Sequence, residues 1–132
     1  VRRAAALAEE SGVEVQTHVS EWSQWDWTQQ FDMVVGIFIQ FVGQQQRAKQ
    51  FADMTRALRT GGRIVLHGYR PEQIVRGTGG PPTAENMYTQ AELHEVFAGW
   101  IVERSASYEC DQTSGSAHVG KAALIDFIAR KP

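Results

Sequence analysis

Residues 31–69 read FDMVVGIFIQFVGQQQRAKQFADMTRALRTGGRIVLHGY, and the alternation of patterns within them decides the fold. The first nine residues, FDMVVGIFI, are a continuous apolar run of strand length. A strand covered by helices on both faces reads this way, as in a parallel sheet. From about Gln44 to Arg59 the period changes. Phe51, Met54 and Leu58 fall at i, i+3 and i+7, with Ala48 and Ala57 alongside, and form the core-facing stripe of a helix. Gly61-Gly62 ends that helix, and RIVLHGY, 63–69, is a second buried strand.

Upstream, residues 1–11 form an Ala-rich helix with Ala4, Leu7 and Ala8 on its apolar side, and Gly12 supplies a left-handed stop. Val13, Val15 and Val19 mark a short strand, VEVQTHV. Residues 20–30, SEWSQWDWTQQ, have no period and read as a connection. Trp22, Trp25 and Trp27 put too many apolar rings into that connection for free solvent. They cover a core edge, a purine or a second subunit. Downstream, 70–88 hold three of the four prolines and Gly77, Gly79 and Gly80, a loop long enough to suggest function. Thr89 and Glu92 make a capping box, followed by a helical stripe of Leu93, Val96, Phe97 and Trp100, which predicts a helix over 89–99. Two strands, 101–110 and 121–130, close the chain. The ten residues between them, DQTSGSAHVG, carry no helix and so predict an antiparallel hairpin rather than a parallel crossover.

The composition narrows the class. One domain over 1–132, 42% hydrophobic and 21% charged, is ordinary for a globular protein. A net charge of −2 advertises no nucleic-acid or anionic-membrane surface, and no apolar run reaches the ~20 residues of a membrane helix. The chain opens on Val1 without a signal-peptide pattern, so its start is expected to be processed, truncated or fused. One cysteine, Cys110, leaves no internal disulfide and fits a reducing cytoplasm; its strand position predicts a buried or half-buried filler. His18, His67, His94 and His118 lack ligand spacing with cysteine or carboxylates, so no metal site is expected.

FDMVVGIFIQFV, a helix and LRTGGRIVLHGY together resemble the fourth strand, following helix and fifth strand of class I S-adenosylmethionine-dependent methyltransferases. Thr60 stands where that pattern usually has proline. YRPEQIVRGTGGPP resembles the Tyr-x-x-x-Gln … Thr-Gly-Gly-Pro loop of bacterial small-molecule methyltransferases close to the tellurite-resistance type. SAHVGKAALIDFIARKP is similar to their last loop and strand. The likeness covers residues 4–132 and includes the terminal hairpin. It implies an α/β fold: an incomplete Rossmann-like three-layer sandwich, its sheet mostly parallel with a C-terminal antiparallel hairpin. A complete member begins with a strand, a Gly-rich turn, a helix and a second strand ending in an acid. None of these is present, and Gly77-Thr78-Gly79-Gly80 reads as loop. The chain thus resembles the C-terminal two-thirds of such an enzyme, without the turn that grips the cofactor's methionine end or the acid that holds its ribose.

What the resemblance implies for the site is carried over residue by residue. Glu21 follows VEVQTHV where the family accepts the adenine amino group, with Trp22 as an apolar wall; the alternative is a solvated acid and a packing indole. Gly36 and Ile37 lie at a strand end that approaches the cofactor, unless Gly36 merely relieves a crowded helix crossing. Gln40 and Phe41 follow at the mouth. His67, Tyr69 and Gln73, at and beyond the next strand end, are candidates to orient a small-molecule substrate, with His67 as a base near neutral pH or else a structural histidine. His118 matches the family's loop histidine.

Methyl transfer needs an activated methyl held in line with a nucleophile, so no catalytic dyad is required. The expected function is S-adenosylmethionine-dependent methylation of a small molecule, with weak or absent cofactor binding and no activity in this chain alone. The alternative is a non-catalytic dimeric remnant serving as a binding or structural module. A nicotinamide-dependent reductase is disfavoured by the terminal hairpin. In the family's order, two absent strands separate 13–19 from 31–39, a gap of ~14 Å at ~4.8 Å per spacing. The apolar edge of FDMVVGIFI does not stay bare in water. Either 13–19 collapses onto it, or a homodimer forms through that edge and the Trp-rich segment 20–30, which is the favoured expectation.

Overall fold

In chain order the protein builds α1 (Arg2–Glu10), β1 (Phe31–Ile37), α2 (Gln44–Arg56), β2 (Leu58–Tyr69), the one-turn α3 (Gln73–Arg76), α4 (Gln90–Val96), β3 (Ile101–Ser114) and β4 (His118–Arg130). Single 3₁₀ turns lie at Trp22–Gln24 and Ala84–Asn86. The computed structural model describes residues 1–76, 83–114 and 118–132. Among them no helix is long and apolar enough to cross a membrane.

β1 and β2 pair in parallel, Val34 opposite Ile64 and Ile37 opposite His67, with α2 as the crossover. β4 lies antiparallel on the other side of β2, and β3 pairs antiparallel with β4, so the order across the sheet is β1-β2-β4-β3. The predicted hairpin is present and longer than expected. The sheet is mixed rather than mostly parallel: one parallel pair and two antiparallel pairs among the described residues. Parallel neighbours need a crossover, and α2 supplies the only one here.

α2 stops at Arg56, short of the expected Arg59, because Leu58 already pairs with Phe31 in the sheet. Lys131 caps its last turn, its Nζ donating to the carbonyls of Thr55 and Leu58 at 2.9 and 2.8 Å. Gly61-Gly62 therefore lies inside β2 rather than before it. Gly61 has φ +80°, and a Cβ on Gly62 would sit 2.9 Å from the carbonyl oxygens of Arg59 and Asp32. α4 likewise ends at Val96 instead of residue 99, where Gly99 takes φ +85°.

Period-2 alternation in β2 and β4 sends Ile64, Leu66, Ile125, Phe127 and Ala129 to one face, under Phe51 and Met54 of α2 and Leu93 of α4. On the opposite face of β1, Met33, Val35 and Ile37 are 50%, 50% and 58% exposed. Tyr69, Met87, Ala122 and Leu124 pack into a smaller apolar group at the carboxyl end of β2. The expected third layer is not completed. α1 has the predicted Gly12 stop, a Schellman motif in which Gly12 N–H bonds Glu9 and Val13 N–H bonds Ala8, yet all of α1 except Ala8 is exposed.

Residues 13–19 do not form the predicted strand, and every one of them is exposed. Their alternating valines specify a face, but a strand exists only through a partner ladder, and none pairs with them among the described residues. Nor do they collapse onto β1, whose outer edge has no strand partner among the described residues. Cys110 is exposed rather than a buried filler, because it lies on β3, the other edge strand.

Candidate functional site

The chain leaves β1 through Phe38, which holds a left-handed backbone, φ +53°, unusual for a bulky residue and found at sites the surroundings over-determine. Its N–H bonds the His67 carbonyl at 2.9 Å, prolonging the β1–β2 ladder. Its ring meets the His67 ring edge-on at 4.9 Å and stacks on Tyr69 at 4.8 Å. Gln40 then turns inward. Its Nε2 donates to the Tyr69 carbonyl at 2.8 Å and its Oε1 accepts from the Tyr69 N–H at 2.7 Å, so the side chain replaces a strand. Gly68 makes room for it, since a Cβ there would lie 2.7 Å from the Gln40 amide.

On the α2 side of this strand end lies a cleft of about 420 Å³, lined by residues that include Glu21, Trp22, Phe41, Gln46, Lys49 and Gln50. Trp22 forms its wall: Nε1 donates to Asp53 Oδ2 at 3.0 Å, and the ring packs on Trp27 at 4.4 Å and on Phe41 at 6.0 Å. Burial pushes the Asp53 carboxyl up, but hydrogen bonds from Lys49 and Trp22 and the charges of Lys49 and Arg56 outweigh it and hold the pKa below the ordinary value. Gln50 donates from Nε2 to the Ile39 carbonyl at 3.2 Å, while its Oε1 is buried and has no partner among the described residues. The indole and phenyl walls of the cleft fit a flat apolar ring.

A second constellation occupies the open face of the sheet. His67 Nδ1 lies 2.6 Å from Asp126 Oδ1. Tyr108 OH donates to the same oxygen at 2.8 Å, and Arg104 grips Oδ2 through Nε at 3.0 Å and Nη2 at 2.9 Å. Burial raises the Asp126 carboxyl, and the donors from His67, Tyr108 and Arg104 more than reverse that, leaving its pKa lowered. Burial and the hydrogen bond to Asp126 push the Tyr108 phenol up to about 12. The register explains the meeting. His67 and Asp126 are directly paired across β2 and β4, and Tyr108 and Arg104 sit diagonally on β3, opposite Leu124 and Ile128.

The expected site residues separate accordingly. Glu21 and Trp22 line the cleft. Ile37 lies exposed on the open face beside His67. Gly36 is accounted for by packing, because a Cβ there would meet Ile39 at 2.6 Å and Leu66 at 3.2 Å. Gln40, expected at the mouth, is buried at 5% exposure with both amide atoms committed to Tyr69. Tyr69 and Gln73 are also buried, Gln73 Oε1 accepting the Ala123 N–H at 2.9 Å. Of the substrate-orienting candidates only His67 belongs to the open-face cluster; its partners Asp126, Tyr108 and Arg104 were not anticipated. His118 opens β4, and its side chain, like Gly77–Gly80, lies outside the described residues. Among the described residues no three His, Cys, Asp or Glu converge as a metal site.

No family model matches the chain, and no curated protein does. Solved structures do. TehB from Haemophilus influenzae superposes with a TM-score of 0.68 at 14% identity, over 97% of this chain and 45% of that one. A SAM-dependent methyltransferase from Methanosarcina mazei gives 0.68 at 17%, over 98% and 76%. The N-methyltransferase NodS from Bradyrhizobium japonicum WM9, in complex with S-adenosyl-L-homocysteine, gives 0.65 at 12%, over 99% and 62%. The fold is that of S-adenosylmethionine-dependent methyltransferases. The chain spans about half the length of TehB and under two thirds of NodS. In a methyltransferase fold, as in other open α/β sheets, ligands lie beyond the carboxyl ends of the parallel strands. Phe38, Gln40, Phe41 and the Trp22 cleft are at that end.

Proposed function

We propose that this chain is the acceptor-side portion of a small-molecule methyltransferase that uses S-adenosylmethionine, and that it does not catalyse transfer by itself. The observation that carries this reading is the Trp22–Phe41–Gln50 cleft at the carboxyl end of β1 in a methyltransferase fold. Trp22 and Phe41 would wall one side of the adenine, and Glu21 would accept its amino group. The cofactor supplies the electrophilic methyl, so the protein's share is to bind, orient and exclude water. TehB among the structural neighbours supports the subgroup inferred from the loop YRPEQIVRGTGGPP.

No residue of the described chain stands in for a Gly-rich turn or a ribose-binding acid. Losing two or three charge-assisted hydrogen bonds of about 1.5–3 kcal/mol each moves a micromolar dissociation constant to about millimolar or weaker. Titration of S-adenosylhomocysteine into the chain, followed by tryptophan fluorescence and NMR, is expected to show such weak binding, abolished by Trp22→Ala. Micromolar affinity would overturn the incompleteness, and contacts unaffected by Trp22→Ala would overturn the adenine assignment. The activity itself is tested by joining a strand, Gly-rich turn, helix and acid-ended strand upstream of Val1 and assaying transfer of a labelled methyl group.

A second reading, a non-catalytic dimeric module, is favoured by one observation: the outer edge of β1, which has no strand partner among the described residues, beside the exposed Met33, Val35 and Ile37.

A further inference from the structure

Beside the Trp22–Phe41–Gln50 cleft lies another, of about 470 Å³, walled by the rings of Trp22, Trp25, Trp27 and Phe41 and joined by Glu21. The two share Glu21, Trp22 and Phe41, but Trp25 and Trp27 line only this one. The Trp-rich connection is held in one shape by its own bonds. Gln24 N–H donates to the Glu21 carbonyl at 3.1 Å, Trp27 Nε1 to the Trp22 carbonyl at 2.9 Å, and Gln30 Nε2 to the Arg56 carbonyl at 2.7 Å. Trp22 Nε1 ties it to Asp53 on α2. The rings are therefore arranged in advance, and a ligand need not order them. We propose that this cleft is a second binding site, a cage for the trimethylammonium group of a small molecule that has no anionic group beside the nitrogen.

Shape and charge select that ligand. Phe41 is inclined at 63° to Trp22, and His18 at 61° to Trp25. Trp22 and Trp27 are closer to parallel, at 32°, but their rings already touch, with centroids 4.4 Å apart. Walls inclined in this way enclose a rounded group better than a flat ring. Aromatic faces carry negative potential, and trimethylammonium meets them through methyl groups that share the positive charge and need no hydrogen-bond acceptor. The Glu21 carboxylate adds its charge and makes no hydrogen bond or ion pair among the described residues. No lysine or arginine lines the cleft. The α2 cations near Trp22, Lys49 and Arg56, are bound to Asp53 at 2.8 and 3.2 Å. A lipid head group carries a phosphate beside its nitrogen, and no cation of the cleft receives it, so the source is a free small molecule.

The test needs no methyltransferase activity. The probe is choline, and the control is its uncharged isostere, in which a tert-butyl group replaces trimethylammonium. Titration at about pH 8, where imidazole is neutral, is followed by the indole N–H resonances. Choline is expected to shift those of Trp22, Trp25 and Trp27 and to leave Trp100, packed on Phe97, unmoved. It is expected to bind about tenfold more tightly than the isostere. Equal affinities would reduce the cleft to an apolar groove and overturn the proposal. Trp25 takes no part in the core cluster, so Trp25→Ala is expected to fold and to weaken choline about tenfold. An unchanged affinity would remove the site. Glu21→Gln is expected to weaken choline about threefold and the isostere not at all; unchanged choline binding would overturn the charge complementarity. The chain is expected to stay in the supernatant with phosphatidylcholine vesicles, and co-sedimentation released by choline would overturn the small-molecule source. S-adenosylhomocysteine is expected to bind Trp25→Ala as it binds the parent chain. A loss matching that of choline would merge the two clefts and overturn their distinction, whereas the Trp22 titration tests the adenine cleft without Trp25, so the two readings fail separately.

Discussion

Gln40 was legible in the sequence as a polar residue just past a buried strand, and from there a ligand contact is a natural inference. The fold uses it differently. Both amide atoms bond the Tyr69 backbone, carrying the β1–β2 pairing two residues beyond the end of β1 by means of a side chain. Gln40→Leu would remove the Oε1 acceptor of the buried Tyr69 N–H, at about 1–3 kcal/mol, while the Tyr69 carbonyl keeps the Tyr88 N–H at 3.1 Å. Urea denaturation is expected to show a loss of about 1–3 kcal/mol; a loss near zero would mean that water replaces the amide. Asp126 shows the converse. It stands in the apolar strand AALIDFIA, and an acid at such a position is retained where it is paired, which is the signal that marks it. The identity of the pair was not readable, because the register of β4 against β2 sets it.

Elements followed local chemistry closely where that chemistry is self-contained. Thr89 caps α4 as the sequence predicts, its Oγ1 accepting the Glu92 N–H at 3.1 Å. The other half of the capping box is not made. Glu92 instead pairs at 2.7 Å with Arg47, a buried cation of α2 whose need for an anion is stronger than that of a backbone N–H. Thr89→Ala is expected to cost about 1 kcal/mol, and Thr89→Ser to restore most of it. Thermal unfolding reads this, and equal losses in both variants would mean that the hydroxyl is not the cap. Elements that depend on a neighbour did not follow. Val13, Val15 and Val19 alternate correctly for a strand, but with no adjacent ladder among the described residues the segment takes no regular structure and is exposed.

At the scale of the whole molecule, the sheet has two edges. β3 is one, with much of its length exposed; β1 is the other, with the exposed apolar side chains of Met33, Val35 and Ile37 on the face away from α2. We propose that two chains associate through β1, since an unpaired apolar edge is a template for strand addition. The Trp-rich segment contributes less than its composition suggests. Trp22 and Trp27 are already packed against the chain's own core, while Trp25 lies against His18. Light scattering at low micromolar concentration is expected to give the mass of two chains, and Val35→Glu that of one folded chain. A wild-type chain that is monodisperse and monomeric at millimolar concentration would remove the dimer.

What the sequence determined by itself is what short-range periodicity encodes. The two apolar runs 31–39 and 63–69, the amphipathic helix between them and the helix-free hairpin linker fixed a parallel pair with an antiparallel end, because each pattern fits one kind of neighbour. Tertiary structure alone decided which residues meet. Cross-strand register brought His67 of β2 and Tyr108 and Arg104 of β3 onto the Asp126 carboxylate of β4, His67 and Asp126 being 59 positions apart. It also decided that 13–19 would not be a strand, since a ladder is a property of two segments and no pattern within one of them can supply the other.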